Sequence, residues 1–258
     1  MSKKACIIIL IFFLWIGFLS CTRIIFQCPM QRTDFSKENL FTENLRNYND
    51  DTRLQYEITN DYKNMFFYFK TYNSETLSKI LLMGLHINIK TSDDDISIVY
   101  PMTDDEKYNP YSSVKNFRTT LDIKSINKNL FMLQHNEIML TGFKPPINDN
   151  SISLINKYDI KVYFDWDTTN TMVYKLVIPF KCFYKDSLTL SDSSSIINVS
   201  VKVNAIPKPD NNLNNIKGGG LNEGTNGSSK HNGNGNENPT SLYEPSSLKL
   251  RVKLFIYY

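Results

Sequence analysis

The chain reads as a mainly β protein, an antiparallel β-sandwich with one or two short helices, and three observations predict it. At least eight short segments alternate apolar and polar residues with the period of two that a half-buried strand requires. Tyr and Phe are abundant, at 15 and 16 residues, and both suit a pleated, packed surface. A hydrophobic content of 41% over 258 residues is enough to fill a substantial core. No repeat of fixed period appears and no linker separates two cores, so residues 54–258 are expected to form one domain.

The first twenty residues stand apart from that domain. Lys3 and Lys4 precede an uncharged apolar run over residues 5–19. A membrane-spanning helix needs about 20 apolar residues, so this run fits the core of a signal peptide, residues 1–20, better than a permanent anchor. The segment Phe18-Leu19-Ser20-Cys21 closes the run and resembles the lipobox of bacterial lipoproteins. The resemblance implies cleavage before Cys21 and acylation of Cys21, the expected lipid-attachment residue. Acyl chains contribute about 0.8 kcal/mol per buried methylene, so two or three of them anchor a protein stably. The implied address is the bacterial cell envelope, lipid-anchored, on the periplasmic or surface face of the outer membrane. Loss of Lys3 and Lys4 lowers the formal net charge from +3 to +1, which argues against nucleic acid as a partner. Of four cysteines, Cys28 and Cys182 remain, and they either pair in an oxidising compartment or stay as two thiols.

Residues 21–53 lack a sustained period and read as a tether or irregular leader. LQYEITN, from Leu54, and MFFYFKTY, from Met65, then form a predicted hairpin through an Asp-Tyr-Lys-Asn turn, with Met65, Phe67 and Phe69 on one face and Phe66, Tyr68, Lys70 and Tyr72 on the other. Ser74, Glu75 and Thr76 can cap a short helix that Gly84 ends. LHINIKT alternates cleanly, turns at Asp93, Asp94 and Asp95, and returns as ISIVYPM. A helix is expected near residues 114–126, and EIMLTGF reads as a strand. Residues 158–183 form the central hairpin: Val162, Phe164 and Trp166 share one face, while Tyr174, Leu176, Ile178 and Phe180 share another. Val173 and Val177 make the second arm apolar on both sides, which predicts a central strand. IINVSVKVNAI is a further strand, and LKLRVKLFIYY a last one. Between them, residues 210–240 hold ten Asn and seven Gly without an apolar period, so a disordered insertion is expected at about 208–245.

The stretches DYKNMFFYFKTYN, GLHINIKTSDDD and VYKLVIPF together resemble family 9 carbohydrate-binding modules and the wider DOMON-like sandwiches. The whole layout, with a Gly-rich stretch before the last strand, resembles still more closely a group of bacterial surface lipoproteins. The resemblance implies fold and a binding role. It transfers no ligand residues: Lys175 stands where those modules commonly carry an acid, and Trp166 is the one tryptophan of the mature chain.

Candidate chemistry is sparse. A pyranose needs an aromatic platform with polar groups at its rim, which Tyr68, Tyr72 and Trp166 could supply; the plainer expectation for Trp166 is core packing beside Val162 and Phe164, and for the two tyrosines a place under the polar helix or in a lateral interface. Asp93, Asp94 and Asp95 lack the alternating ligands of a calcium loop and read as a polar turn. Asp165 and Asp167 flank the hairpin turn without implied acid and base roles. His86, His135 and His231 are too dispersed for metal-ligand spacing, and no nucleophile elbow or phosphate loop is present. No catalytic residue, metal or cofactor is therefore expected. The expected function is a membrane-anchored, non-catalytic binding or structural module whose partner is a glycan or an envelope protein; the alternatives are a carbohydrate-binding surface protein and a hydrolase with dispersed residues.

Overall fold

The computed structural model describes residues 24–31, 40–101, 123–207 and 241–256. Two sheets carry the fold. The seven-stranded sheet runs in the order β1 (Ile25–Gln27), β12 (Ser246–Lys253), β11 (Ile196–Val203), β5 (Leu85–Lys90), β6 (Asp95–Tyr100), β7 (Glu137–Thr141), β8 (Ser151–Ser153). The five-stranded sheet runs β2 (Asn47–Asn49), β3 (Leu54–Asn60), β4 (Asn64–Thr71), β10 (Met172–Pro179), β9 (Lys161–Trp166). Every named pairing is antiparallel except β1 with β12.

The alternation seen in sequence becomes the core. In the larger sheet Leu85, Ile87 and Ile89 lie opposite Val203, Val201 and Val199, and all six are buried. In the smaller sheet Phe67 and Phe69 pair with Leu176 and Tyr174 across the β4–β10 ladder, again fully enclosed. One continuous apolar cluster joins the inner faces of both sheets, so a one-residue slip of any inner strand would turn its apolar set toward solvent. Pro179 closes β10 opposite Asn64 at the end of the ladder, where its missing donor costs nothing.

Turn chemistry fixes the hairpins. Asp61 Oδ1 accepts from the Lys63 and Asn64 backbone N–H at 2.7 and 2.6 Å, and Asp167 Oδ1 accepts from Thr169 N and Thr171 N at 2.8 and 2.9 Å. Helix α1 (Ser74–Met83) packs its Leu77, Ile80 and Leu81 into the core; its cap is Asn73 rather than the Ser74 expected from sequence, with Asn73 Oδ1 accepting from Thr76 N at 2.9 Å. Helix α2 (Lys128–Gln134) follows a short 3-10 turn at Ile123–Ser125, so the described α-helix lies wholly beyond the 114–126 expectation, of which residues 114–122 fall outside the described residues.

The leader differs from the expected tether. Residues 25–27 form β1 on the edge of the larger sheet and residues 47–49 form β2 on the edge of the smaller one. Strands this short carry too few residues to show a period, which is why the sequence reads them as irregular. Of the insertion expected at about 208–245, residues 208–240 lie outside the described residues, whereas residues 241–243 form a 3-10 turn in which Leu242 is buried and the Leu242 carbonyl accepts from Ile206 N.

Candidate functional site

A polar pocket of about 130 Å³ sits where the β2–β3 turn, the first turn of α1 and the approach to β12 meet, lined by Asp51, Arg53, Asn73, Glu75, Lys79 and Glu244, among others. Each wall has a local cause. Arg53 takes a left-handed backbone, φ 54°, at the start of β3, which carries its guanidinium back toward the helix. Arg53 Nη1 contacts Glu75 Oε2 at 3.2 Å, in the first helical turn, where a carboxylate is favoured by the exposed N–H groups. Lys79, one helical turn on, is buried and donates from Nζ to the Glu244 carbonyl at 2.7 Å. Burial lowers the Lys79 ammonium pKa, with Glu75, Glu244 and Asp51 pulling the other way. Asp51 Oδ2 accepts from Ser247 N at 2.9 Å and ties the turn to β12. Three carboxylates and two cations thus face one small volume. Such a set can hold a small polar or polyhydroxyl group through paired donors and acceptors.

The sugar-platform candidates are placed apart. Tyr68 is fully buried on the outer face of the smaller sheet; its hydroxyl accepts from Gln31 Nε2 at 2.8 Å, and the Lys175 ammonium lies 5.4 Å from its ring. Trp166 is 5% exposed, edge-on to Phe131 at 5.4 Å and beside Phe164 at 5.6 Å. Tyr72 is 56% exposed and immediately precedes Asn73 of the pocket wall. Of the three, Tyr72 alone offers an aromatic face to solvent beside polar groups. Cys21 lies outside the described residues.

The acidic candidates are each engaged separately. Asp94 pairs with Lys144 at 2.8 Å, Asp95 with Lys90 at 3.3 Å, and Asp93 accepts from Ser92 Oγ. Asp165 is held by Lys128 and by the Tyr163 hydroxyl at 3.1 Å, whereas Asp167 serves the turn. Burial opposes ionisation of Asp167, yet hydrogen bonds from Thr169 and Thr171 outweigh it and lower its pKa. Among the described residues no group of three His, Cys, Asp or Glu side chains could hold a metal ion. His86 and His135 are both depressed by burial; His135 stacks on Phe131 at 4.0 Å. Cys28 and Cys182 are buried free thiols, and burial pushes Cys182 up to about 11 and raises Cys28 further, so neither is a ready nucleophile.

Sequence reasoning missed the pocket because its wall is assembled from residues 51, 73–79 and 244, far apart in the chain. The one local signal was the helix-start pattern around Ser74 and Glu75. The described residues thus form a largely antiparallel sandwich with a charged pocket where the first turn of α1 meets the β2–β3 turn and the approach to β12. The chain matches no family model, no curated protein and no solved structure.

Proposed function

We propose that the chain is a lipid-anchored bacterial envelope lipoprotein acting as a non-catalytic binding or structural module. The observation that carries this reading is Cys21, which directly follows Ser20 at the end of a charged-then-apolar leader too short to span a bilayer. β1 starts at Ile25, four residues beyond Cys21 in the chain. Mass spectrometry of the protein purified from membranes tests the reading. The expected N-terminal peptide begins at an acylated Cys21, and Cys21→Ser abolishes both the lipid mass and cleavage; an unmodified Cys21 in the mature protein would sink the proposal.

One observation favours glycan recognition as the binding role: exposed Tyr72 directly precedes Asn73, which lines a pocket rich in carboxylate, amide and guanidinium groups. A ring face against a sugar's apolar patch with polar groups at the rim is the chemistry such recognition uses. The kinship with DOMON-like and family 9 modules belongs to this reading; the three stretches that suggest it are the β3–β4 turn with β4, then β5 with its turn, and β10. A glycan array is expected to show saturable binding that Tyr72→Ala and Arg53→Ala each weaken about tenfold or more, in line with the loss of about 1–3 kcal/mol per buried contact. Binding unchanged in both variants would assign any glycan contact to another surface.

A further inference from the structure

The outer face of the seven-stranded sheet is basic. Counting the outward positions of β1, β12, β11 and β5 from their registers gives Lys249, Arg251 and Lys253 on β12, Lys202 on β11 and Lys90 on β5, with no acidic residue among them. Lys90 is answered by Asp95 from β6 at 3.3 Å. Lys202, Lys249, Arg251 and Lys253 carry no ion pair among the described residues, and Lys202 and Lys249 are exposed. Their neighbours on the face are Asn88, Asn198 and Ser200, which are uncharged. Burial lowers the pKa of His86, and Lys202 beside it acts in the same direction. The opposite outer face of the molecule is different: segment 40–45 covers it, and buried Lys70 donates to the Phe41 and Glu43 carbonyls.

The basic face adjoins the point where the chain enters the fold. β1 runs parallel to β12 with Ile25 opposite Arg251, so the chain upstream of Ile25 heads toward the Lys249 end of β12. Ile24 is 91% exposed and Ile25 is 38% exposed on this edge. Four peptide units separate Cys21 from Ile25, a reach of at most about 14 Å. A lipid on Cys21 would hold the β1–β12 edge within that distance of the headgroups, at most about two of the roughly 8 Å lengths over which surface charges are screened at physiological salt.

We infer that the outer face of β12 and β11, bearing Lys202, Lys249, Arg251 and Lys253, docks on an anionic lipid headgroup layer. The geometry rests on the lipid-anchored reading, because Cys21 supplies the proximity; the charge of the face does not. The short entry segment favours a membrane over an acidic protein, since it leaves little freedom to turn this face away from the bilayer. Cations near an anionic surface each contribute favourably, and exposed Ile24 and Ile25 can enter the headgroup boundary beside them.

The test uses the protein as purified from membranes, reconstituted in vesicles of phosphatidylcholine alone or with 30% phosphatidylglycerol, roughly the anionic fraction that gives a physiological surface potential. A water-soluble amine reagent labels lysines, and peptide mass spectrometry reads each rate. Lys202, Lys249 and Lys253 are expected to label about tenfold more slowly on anionic vesicles than in detergent, with the protection lost in about 0.5 M salt, while Lys157 and Lys161 on the other sheet's side stay unchanged. The variant Lys202→Glu/Lys249→Glu/Arg251→Glu should lose that preference for anionic vesicles. Should the variant misfold, the labelling of the native protein decides alone. Equal rates for the two groups of lysines on anionic vesicles would overturn the inference. Protection in whole envelopes but not in protein-free anionic vesicles would assign the face to an acidic protein and overturn it too. The same spectra report whether Cys21 is acylated, so failure of the anchor and failure of the face are read separately.

Discussion

Tyr174 is fully enclosed between Phe69, Tyr100 and Phe164, and its hydroxyl has no hydrogen-bond partner among the described residues. Burial raises its pKa far beyond reach, so the cost is that of a neutral buried donor left unmade. Such a group costs about 1–3 kcal/mol, and Tyr174→Phe keeps the ring contacts while removing it. Urea unfolding is expected to show a gain of about 1 kcal/mol; a loss would mean that the hydroxyl is satisfied in solution. Tyr100, pushed up to about 12 by burial, differs because its hydroxyl donates to the His135 carbonyl at 3.0 Å, and Tyr100→Phe should cost rather than gain stability. Asp192 is the clearest acid-sensitive residue. Burial opposes its ionisation, but Lys185, the Thr189 N–H, and the Tyr184 and Thr189 hydroxyls donate to it and hold its carboxyl at about 2. A depressed folded pKa gives stability that is present above the ordinary carboxylate value and is lost as pH falls through the folded value. Resistance to thermal unfolding should therefore fall between about pH 4 and pH 2, and Asp192→Asn should remove about 2 kcal/mol at pH 7 together with most of that acid dependence.

At the scale of elements, Gly142 is the sharpest constraint. It follows β7 with φ +77°, and a Cβ there would lie 2.1 Å from the Asp95 carbonyl oxygen at the start of β6. A left-handed backbone disfavours any side chain, and the clash is with main chain that cannot move aside without breaking the β6–β7 ladder. Gly142→Ala is expected to lower stability by about 2–3 kcal/mol in urea unfolding, with the same variant at a surface serine, Ser153→Ala, as a near-neutral control. Gly142 also shows which elements the sequence made legible. EIMLTGF read as a strand because its alternation runs for several residues, as did both arms of the central hairpin, whose second arm proved central because Val173 faces Leu40 and Tyr68 on the covered side. β1, β2 and β8 hold three residues each, which is below the length at which a period of two can be told from chance. Their place is set by tertiary pairing, such as Cys28 N donating to the Lys253 carbonyl at 2.9 Å, which no local pattern announces.

At the scale of the molecule, the class of the fold was legible while the pocket was not, for a physical reason. Core alternation is written locally in the longer strands, but Asp51, Glu75 and Glu244 lie far apart in the chain and are brought together by the pairing of the last strand with β11 and β1. That long-range pairing also defines a whole-chain experiment. β11 and β12 are adjacent antiparallel strands, with Val203 opposite Ser246, although 42 residues of chain lie between them. The stretch 210–238 outside the described residues has no apolar period with which to pack. The entropy of closing a loop grows only as about three halves of RT times the logarithm of its length. Removing residues 210–238 shortens this connection to about a third, which gives an expected gain of roughly 1 kcal/mol with an unchanged denaturant slope. Leu242 and Glu244 remain in the shortened chain, so the Ile206-to-Leu242 hydrogen bond and the Lys79 contact with Glu244 survive. A destabilisation well beyond 1 kcal/mol, or a changed slope, would show that the Asn/Gly-rich stretch packs against the sandwich and is part of its structure.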